Sequence, residues 1–316
     1  MTIKKAVGLM LLAAALFGLA IVGGGCGETV YDEISYFDPN WTPEGNIYAR
    51  MVVSHYKNEW QGLFFGGQKT IKTGEDTYYA TMDTNGTHQS ILPYSYYPYF
   101  SPKGTYVCYV DNTSTFHIVR RSDNTQVYSF QPTTQAIAEL DWGPEEDKLV
   151  YREEILTYTP FNSVIPLFSV NIDGSNKVEI SGIHAAEPTW KYSTKIAFLN
   201  AINGYYCLAF TGADGLNIET TTLSSESIGA YPQYYSDGNY IFTSNSTSFL
   251  KIDVLNKTII NTITHGLSGQ LSPKTWTNPK LSPDNNQVCG GIYLNEYDKS
   301  GIWIISIDGS GYKEIK

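Results

Sequence analysis

The sequence predicts an all-β chain, a six-bladed β-propeller of four-stranded antiparallel blades preceded by an N-terminal signal or anchor segment. Three observations carry that prediction. One short pattern built on an aromatic residue occurs six times, at intervals of 42 to 59 residues. A polar turn centred on aspartate follows each copy, always in the same order. Beyond the first two dozen residues no stretch keeps a helical period over several turns, while 25 tyrosines with abundant Thr, Val and Ile favour strands.

The N-terminus comes first. "MTIKK" supplies two lysines, Ala6 to Val22 is uncharged and apolar, and "GGGCGE" is a glycine-rich break around Cys26. A basic start, an apolar stretch and small residues before a cut site describe an export signal over residues 1–25. The cysteine directly after the small residues resembles a prokaryotic lipoprotein signal. In that family Cys26 becomes the lipidated first residue, here followed by a short tether, 26–33, and a propeller over 34–316. Gly23 departs from the family pattern, which has a larger aliphatic there. An ordinary cleaved signal and an uncleaved anchor are the alternatives, since a span needs roughly 20 apolar residues.

Composition narrows the classes. The formal net charge is −10, and it becomes more negative once Lys4 and Lys5 leave with the signal. Such acidity argues against nucleic acid as a partner, because phosphate backbones need a basic surface. Cys108, Cys207 and Cys289 each sit inside an apolar strand-like run ("YVCYV", "GYYCLAF", "NQVCGG") and read as small buried hydrophobes; a single bridge among them is the other possibility.

The repeats fill the remainder. Aligned on the aromatic position they are "DPNWTPEGNIY" (38–48), "YPYFSPKGTYV" (97–107), "ELDWGPEEDKL" (139–149), "EPTWKYSTKI" (187–196), "YPQYYSDGNYI" (231–241) and "NPKLSPDNNQV" (278–288). The aligned residues are Trp41, Phe100, Trp142, Trp190, Tyr234 and Leu281. Each copy reads as a short strand ending at the aromatic, a tight turn such as "SPKG", and a second strand. Proline presets the early turn position, and Gly or Asn suits the position with positive φ. A third strand, an Asp turn (Asp83, Asp123, Asp173, Asp214, Asp253, Asp308) and a fourth strand complete the unit. Four antiparallel strands in roughly 45 residues make a propeller blade. The aromatic fills the wedge between neighbouring blades, which cannot bury both faces alone. The long first interval holds an insertion, residues 57–75, that lengthens a loop or hairpin.

These motifs carry a resemblance. Pro-x-aromatic-Ser-Pro, as in "YPYFSPKG" and "LSPDNN", with the "SVNIDGSNKVEIS" and "IISIDGSGYKEIK" units, resembles the TolB-type, WD-like propeller repeat. The resemblance covers residues 34–316 and implies the fold, but not a function, because the repeat serves in periplasmic scaffolds, peptidase accessory domains and some lyases.

Catalytic signatures are missing from the sequence. There is no Gly-x-Ser-x-Gly elbow, and "GLSGQ" near Ser268 lacks its spacing. No His-Glu-x-x-His helix, P-loop or dinucleotide fingerprint occurs, and no cofactor or metal is implied. His55, His88, His117, His184 and His265 scatter over different blades. The Asp turns lack the alternating carboxylates of a calcium loop and read as hairpin turns. The candidate binding residues are Asp38, Tyr97, Glu139, Glu187, Tyr231 and Asn278, equivalent positions at the entry of each inner strand. They are expected to ring one mouth of a central channel, beside the aromatic run from Tyr94 to Phe100. The plainer reading is that they cap strand ends.

Two functions follow from different classes. The first is an exported, lipid-anchored propeller on the periplasmic or cell-surface side, acting as a non-catalytic scaffold for an envelope protein or glycan. The second is a lyase or hydrolase with a metal or acid/base site at the channel, around His184, Glu187 and Glu139. A purely structural surface protein is a third, weaker expectation.

Overall fold

A computed structural model describes residues 29–60, 68–87, 89–133, 135–154, 165–180, 185–202, 205–224, 229–245, 247–264, 275–293, 302–311 and 313–315. The signal segment, Cys26, His88, His184, His265 and Ser268 lie outside them. All described regular structure is β, in six four-stranded sheets.

Each sheet is one blade, contiguous in sequence and antiparallel wherever its pairing is described. Blade one is β1 (Thr29–Trp41), β2 (Ile47–Trp60), β3 (Gln68–Met82) and β4 (Ser90–Ile91). Blade two is β5 (Tyr99–Phe100), β6 (Tyr106–Val110), β7 (Phe116–Arg120) and β8 (Thr125–Phe130). Blade three is β9 (Ala136–Trp142), β10 (Lys148–Glu154), β11 (Leu167–Asn171) and β12 (Val178–Ile180). Blade four is β13 (Ala186–Thr189), β14 (Ile196–Ile202), β15 (Tyr205–Thr211) and β16 (Glu219–Ser224). Blade five is β17 (Ala230–Tyr234), β18 (Tyr240–Ser244), β19 (Ser248–Asp253) and β20 (Thr258–Thr264). Blade six is β21 (Thr275–Leu281), β22 (Gln287–Tyr293), β23 (Ile302–Ser306) and β24 (Lys313–Ile315). The aligned residue ends the innermost strand in five blades, and in blade four Trp190 directly follows β13.

The chain divides into two compact units, one of Met1–Ile34 with Val52–Thr77, the other of Ser35–Met51 with Tyr78–Lys316. In the first, the described parts of the insertion, 57–60 and 68–75, are the ends of the paired strands β2 and β3. The expected tether is strand from Thr29 onward. Polar pairs join this unit's strands. His55 bridges Asp32 (2.7 Å) and Asp76 (3.3 Å), Asn58 links Thr29 and Thr70, and Tyr31 stacks on Tyr56 at 5.4 Å.

The second unit is the propeller. Inner strand β5 meets β9, β9 meets β13, β13 meets β17 and β17 meets β21. Side chains close the ring between blades six and one. Trp41 Nε1 donates to the Lys280 carbonyl at 2.8 Å, and Lys313 Nζ donates to Thr84 O and Asn85 Oδ1. Trp142 repeats the first contact between blades three and two, donating to the Tyr99 carbonyl at 2.8 Å. The core lies between blades: Trp142, Leu149 and Tyr151 of blade three share one cluster with Cys108, Phe116 and Ile118 of blade two. Cys108, Cys207 and Cys289 are free thiols, the first and last fully buried.

The turns are built as their residues require. Asp83, Asp123, Asp173, Asp214 and Asp308 each accept the backbone N–H two residues on, and Asp253 the one three residues on. These carboxylates are occupied in holding hairpins. In the first turn of each blade, Thr42, Ser101 and Ser282 accept backbone N–H groups four or five residues on. Gly143 replaces them in blade three, where a Cβ would stand 3.2 Å from the Trp190 ring.

Candidate functional site: the central channel

All six predicted residues meet in one place. Asp38, Tyr97, Glu139, Glu187, Tyr231 and Asn278 line a central cavity of about 660 Å³ with walls from all six blades. The volume lies within the usual range of small-molecule sites.

A backbone device brings them there. Asp38, Glu187, Tyr231 and Asn278 take left-handed conformations, with φ of 52°, 53°, 59° and 50°, and each is followed by proline. In blades four, five and six the inner strand spends three residues where its neighbour spends two: Ala186 to Thr189 faces Leu199 to Ala197, and likewise Ala230 to Gln233 and Thr277 to Lys280. That is a β-bulge. It explains the recurring proline, since the ladder is interrupted where the proline lacks its donor. Asn and Asp tolerate this conformation, whereas Glu and Tyr hold it at a cost of about 1–3 kcal/mol. Blade three has no proline, and its register shift falls at Ala138. Glu139 therefore stays in the ladder opposite Arg152.

The ring is also a set of ties between blades. Arg152 grips Glu139 through two bonds of 2.9 and 3.0 Å. Glu139 Oε2 also accepts the Glu187 backbone N–H at 2.6 Å, and Glu187 in turn accepts that of Tyr231. Tyr97 donates to the Asp38 carbonyl at 3.3 Å, and Asp38 pairs with Arg50 at 3.2 Å. Two residues along, Asp141 accepts from Thr189 Oγ1, Trp190 N and Lys191 N, while Gln233 accepts from Leu281 N at 3.0 Å. The capping role and the channel-lining role coincide in the same side chains.

The electrostatics are those of a secluded polar site. Burial, with the nearby Glu139 charge, raises the Glu187 carboxyl above its usual range, although the Tyr231 N–H opposes the shift. Burial lowers the amines of Lys191 and Lys280; nearby carboxylates counter it only in part. Burial also raises the Tyr97 and Tyr99 phenols, and it pushes Tyr192 up to about 12.

Lys191, Lys280, Asp141, Arg50, Arg152 and Gln233 escaped the sequence reading. For Lys280, Asp141 and Gln233 the signal was present in the alignment, two places beyond the column that was read. Arg50 and Arg152 lie on second strands, where only pairing register reveals their facing acids. Among the described residues no group of His, Cys, Asp and Glu is arranged to hold a metal ion.

No family model matches the chain, and no curated protein matches it. Among solved structures it is similar to one described as oligogalacturonate lyase in complex with manganese. The identity is 12% and the TM-score 0.49, over 91% of this chain and 94% of that one. At that identity and score nothing about the site is carried over.

Proposed function

We propose that this protein is an exported propeller whose central channel binds an envelope protein or glycan, in the role of a non-catalytic scaffold. The observation that carries the reading is the convergence of all six equivalent residues on one cavity, two of them, Glu187 and Tyr231, in a backbone conformation their side chains disfavour. Strain of this kind clusters at functional sites. Aromatic faces at Tyr97, Tyr99 and Tyr231 beside paired charges supply contact chemistry for either partner. Tethering to the membrane through a lipid on Cys26 rests on the lipoprotein-like signal.

Photo-cross-linking to intact envelope tests the channel. A cross-linker at position 231 gives a discrete adduct, and one at Tyr205, an exposed residue outside the cavity, does not. Equal yields, or none from 231, refute the reading. Lipid labelling of the wild-type chain but not of Cys26→Ser is the matching result for the tether.

The enzyme reading would draw on the carboxyl of Glu187, raised by burial, and the amines of Lys191 and Lys280, lowered by burial. Glu187, however, is engaged with the Tyr231 backbone, and His184 lies outside the described residues. Binding is the function the geometry supports best.

A further inference from the structure

We propose that the channel is an oxyanion site, in which Lys191 and Lys280 together take one small carboxylate- or phosphate-bearing ligand. This deepens the channel-binding reading and rests on it.

Both lysines stand at positions where some copies of the repeat carry a turn or inter-blade acceptor, although Gly143 and Tyr235 at the first, and Tyr99 and Thr189 at the second, do not serve that way either. Lys191 stands where Thr42, Ser101 and Ser282 accept the turn's backbone N–H groups. An ammonium has no acceptor to offer. Lys280 stands where Asp141 and Gln233 accept the backbone N–H of the following blade's aromatic residue. It cannot do so either, and at the corresponding junction Asn40 caps the Trp41 N–H within its own blade at 2.8 Å. Two cations placed where other copies carry acceptors, without a local gain, point to a function elsewhere.

The charges of the cavity are unevenly matched. Every acidic side chain lining it has a partner in the protein: Asp38 has Arg50, Glu139 has Arg152 and the Glu187 N–H, Glu187 has the Tyr231 N–H, and Asp141 has three donors. The Lys191 and Lys280 ammonium groups make no hydrogen bond or ion pair with a described residue. Lys280 Nζ lies 6.0 Å from the centre of the Tyr231 ring, and Lys191 lines the same cavity. Two like charges that line one cavity without an ion-pair partner are costly until an anion joins them. Together they present six N–H donors to such a ligand. The lowering of both amines by burial is the signature of that unmet cost.

Titration calorimetry of the full chain with inorganic phosphate, and separately with succinate, tests the site and distinguishes the two sources of the oxyanion. Saturable one-site binding of at least one probe is expected, weakened about tenfold or more in K191M and in K280M, as loss of a charge-assisted bond requires. K251M, at a lysine lying over Tyr235 and Tyr240 outside the cavity, leaves it unchanged. No saturable binding of either probe at millimolar concentration, or affinities unmoved by both substitutions, overturns the proposal. If neither variant folds, the side-chain ¹⁵N resonances of the wild-type lysines decide. Two lysine signals shift on adding the probe while the rest stay, and a uniform response or none overturns it. An envelope adduct from position 231 with both anions inert would sink this inference and leave the binding reading intact.

Discussion

Trp142 and Trp190 occupy equivalent wedges between blades, yet one indole N–H has an acceptor and the other has none among the described residues. Trp142 is fully buried and donates to the Tyr99 carbonyl at 2.8 Å; Trp190 is 4% exposed and its Nε1 is unpaired. Replacing each by phenylalanine separates packing from hydrogen bonding. Either substitution leaves a void of roughly 40 Å³, about 1 kcal/mol at ~24 cal/mol per Å³. In Trp142→Phe the Tyr99 carbonyl also loses its indole donor, though it keeps its ladder bond, adding about 0.5–1.5 kcal/mol. In Trp190→Phe an unsatisfied donor is removed instead, a relief of similar size that offsets the void. At about 2–4 °C per kcal/mol for a chain of this order, Trp142→Phe lowers the melting temperature by roughly 3–10 °C, and Trp190→Phe lowers it less. Circular-dichroism melts, checked by denaturant midpoints, measure both. Equal losses, or a larger loss at Trp190, would show that the inter-blade hydrogen bond contributes nothing. Trp142→Ser combines the void with a buried hydroxyl and is expected to be worse than either.

Three further outcomes follow from the same geometry. Gly229→Ala is expected to destabilise the chain sharply: φ is +71°, and a Cβ would stand 1.9 Å from the Ser244 carbonyl oxygen, which is backbone and cannot yield; an unchanged melt would contradict that turn. Glu187 has its carboxyl raised by burial, so the folded state favours its protonated form, and the resulting stability is present below the unfolded value of 4.5 and lost as pH rises through the higher folded value; Glu187→Gln removes that slope from melting curves taken across the acidic range. His55 is raised by its bonds to Asp32 and then Asp76, so its imidazole titrates by NMR above 6.5, its contribution is complete below 6.5 and lost as pH rises through the folded value, and Asp32→Asn brings the titration back down.

Much of this was legible because repetition multiplies weak signals. The inner-strand aromatic, the Ser/Thr-Pro turn and the Asp turn are each poor predictors alone; six aligned copies fix four strands per blade and their order. Even the departures survive: "WKYSTK" still turns, with Ser193 N bonded to the Trp190 carbonyl at 3.0 Å. The ring of candidate residues was legible for the same reason, since equivalents in a closed repeat must share one mouth. What stayed hidden were the bulges and the pairings across blades. Alignment shows that Glu187 precedes a proline, but not that φ becomes positive there, because glutamate and tyrosine rarely adopt that conformation. Nor does it show that Arg152 faces Glu139, which depends on the register of two strands whose turn separates them.

The departures from symmetry then decide what the channel can recognise. Repetition alone would surround the axis with six like groups, suited to a ligand of matching symmetry. Here the acids come from blades one, three and four, the lysines from blades four and six, and the mouth tyrosines from blades two and five. Asp38 and Glu139 are paired with Arg50 and Arg152, whereas Glu187 and Asp141 are held between blades by neutral N–H and O–H donors. The lysines are the groups left with donors to give, and both stand where some other copies of the repeat carry an acceptor. On the anion proposal such a channel would select by the position of a negative charge held to one side of the axis, with Tyr231 beside that charge and Tyr97 and Tyr99 of blade two across the channel. Moving the blade-six lysine to the matching place on blade one, across the ring from Lys191 of blade four, as in Asn40→Lys with Lys280→Asn, keeps composition and net charge constant but separates the two ammonium groups. Anion affinity measured on that swap should fall as far as in K280M; an affinity equal to wild type would mean that total charge, not its placement, governs the channel.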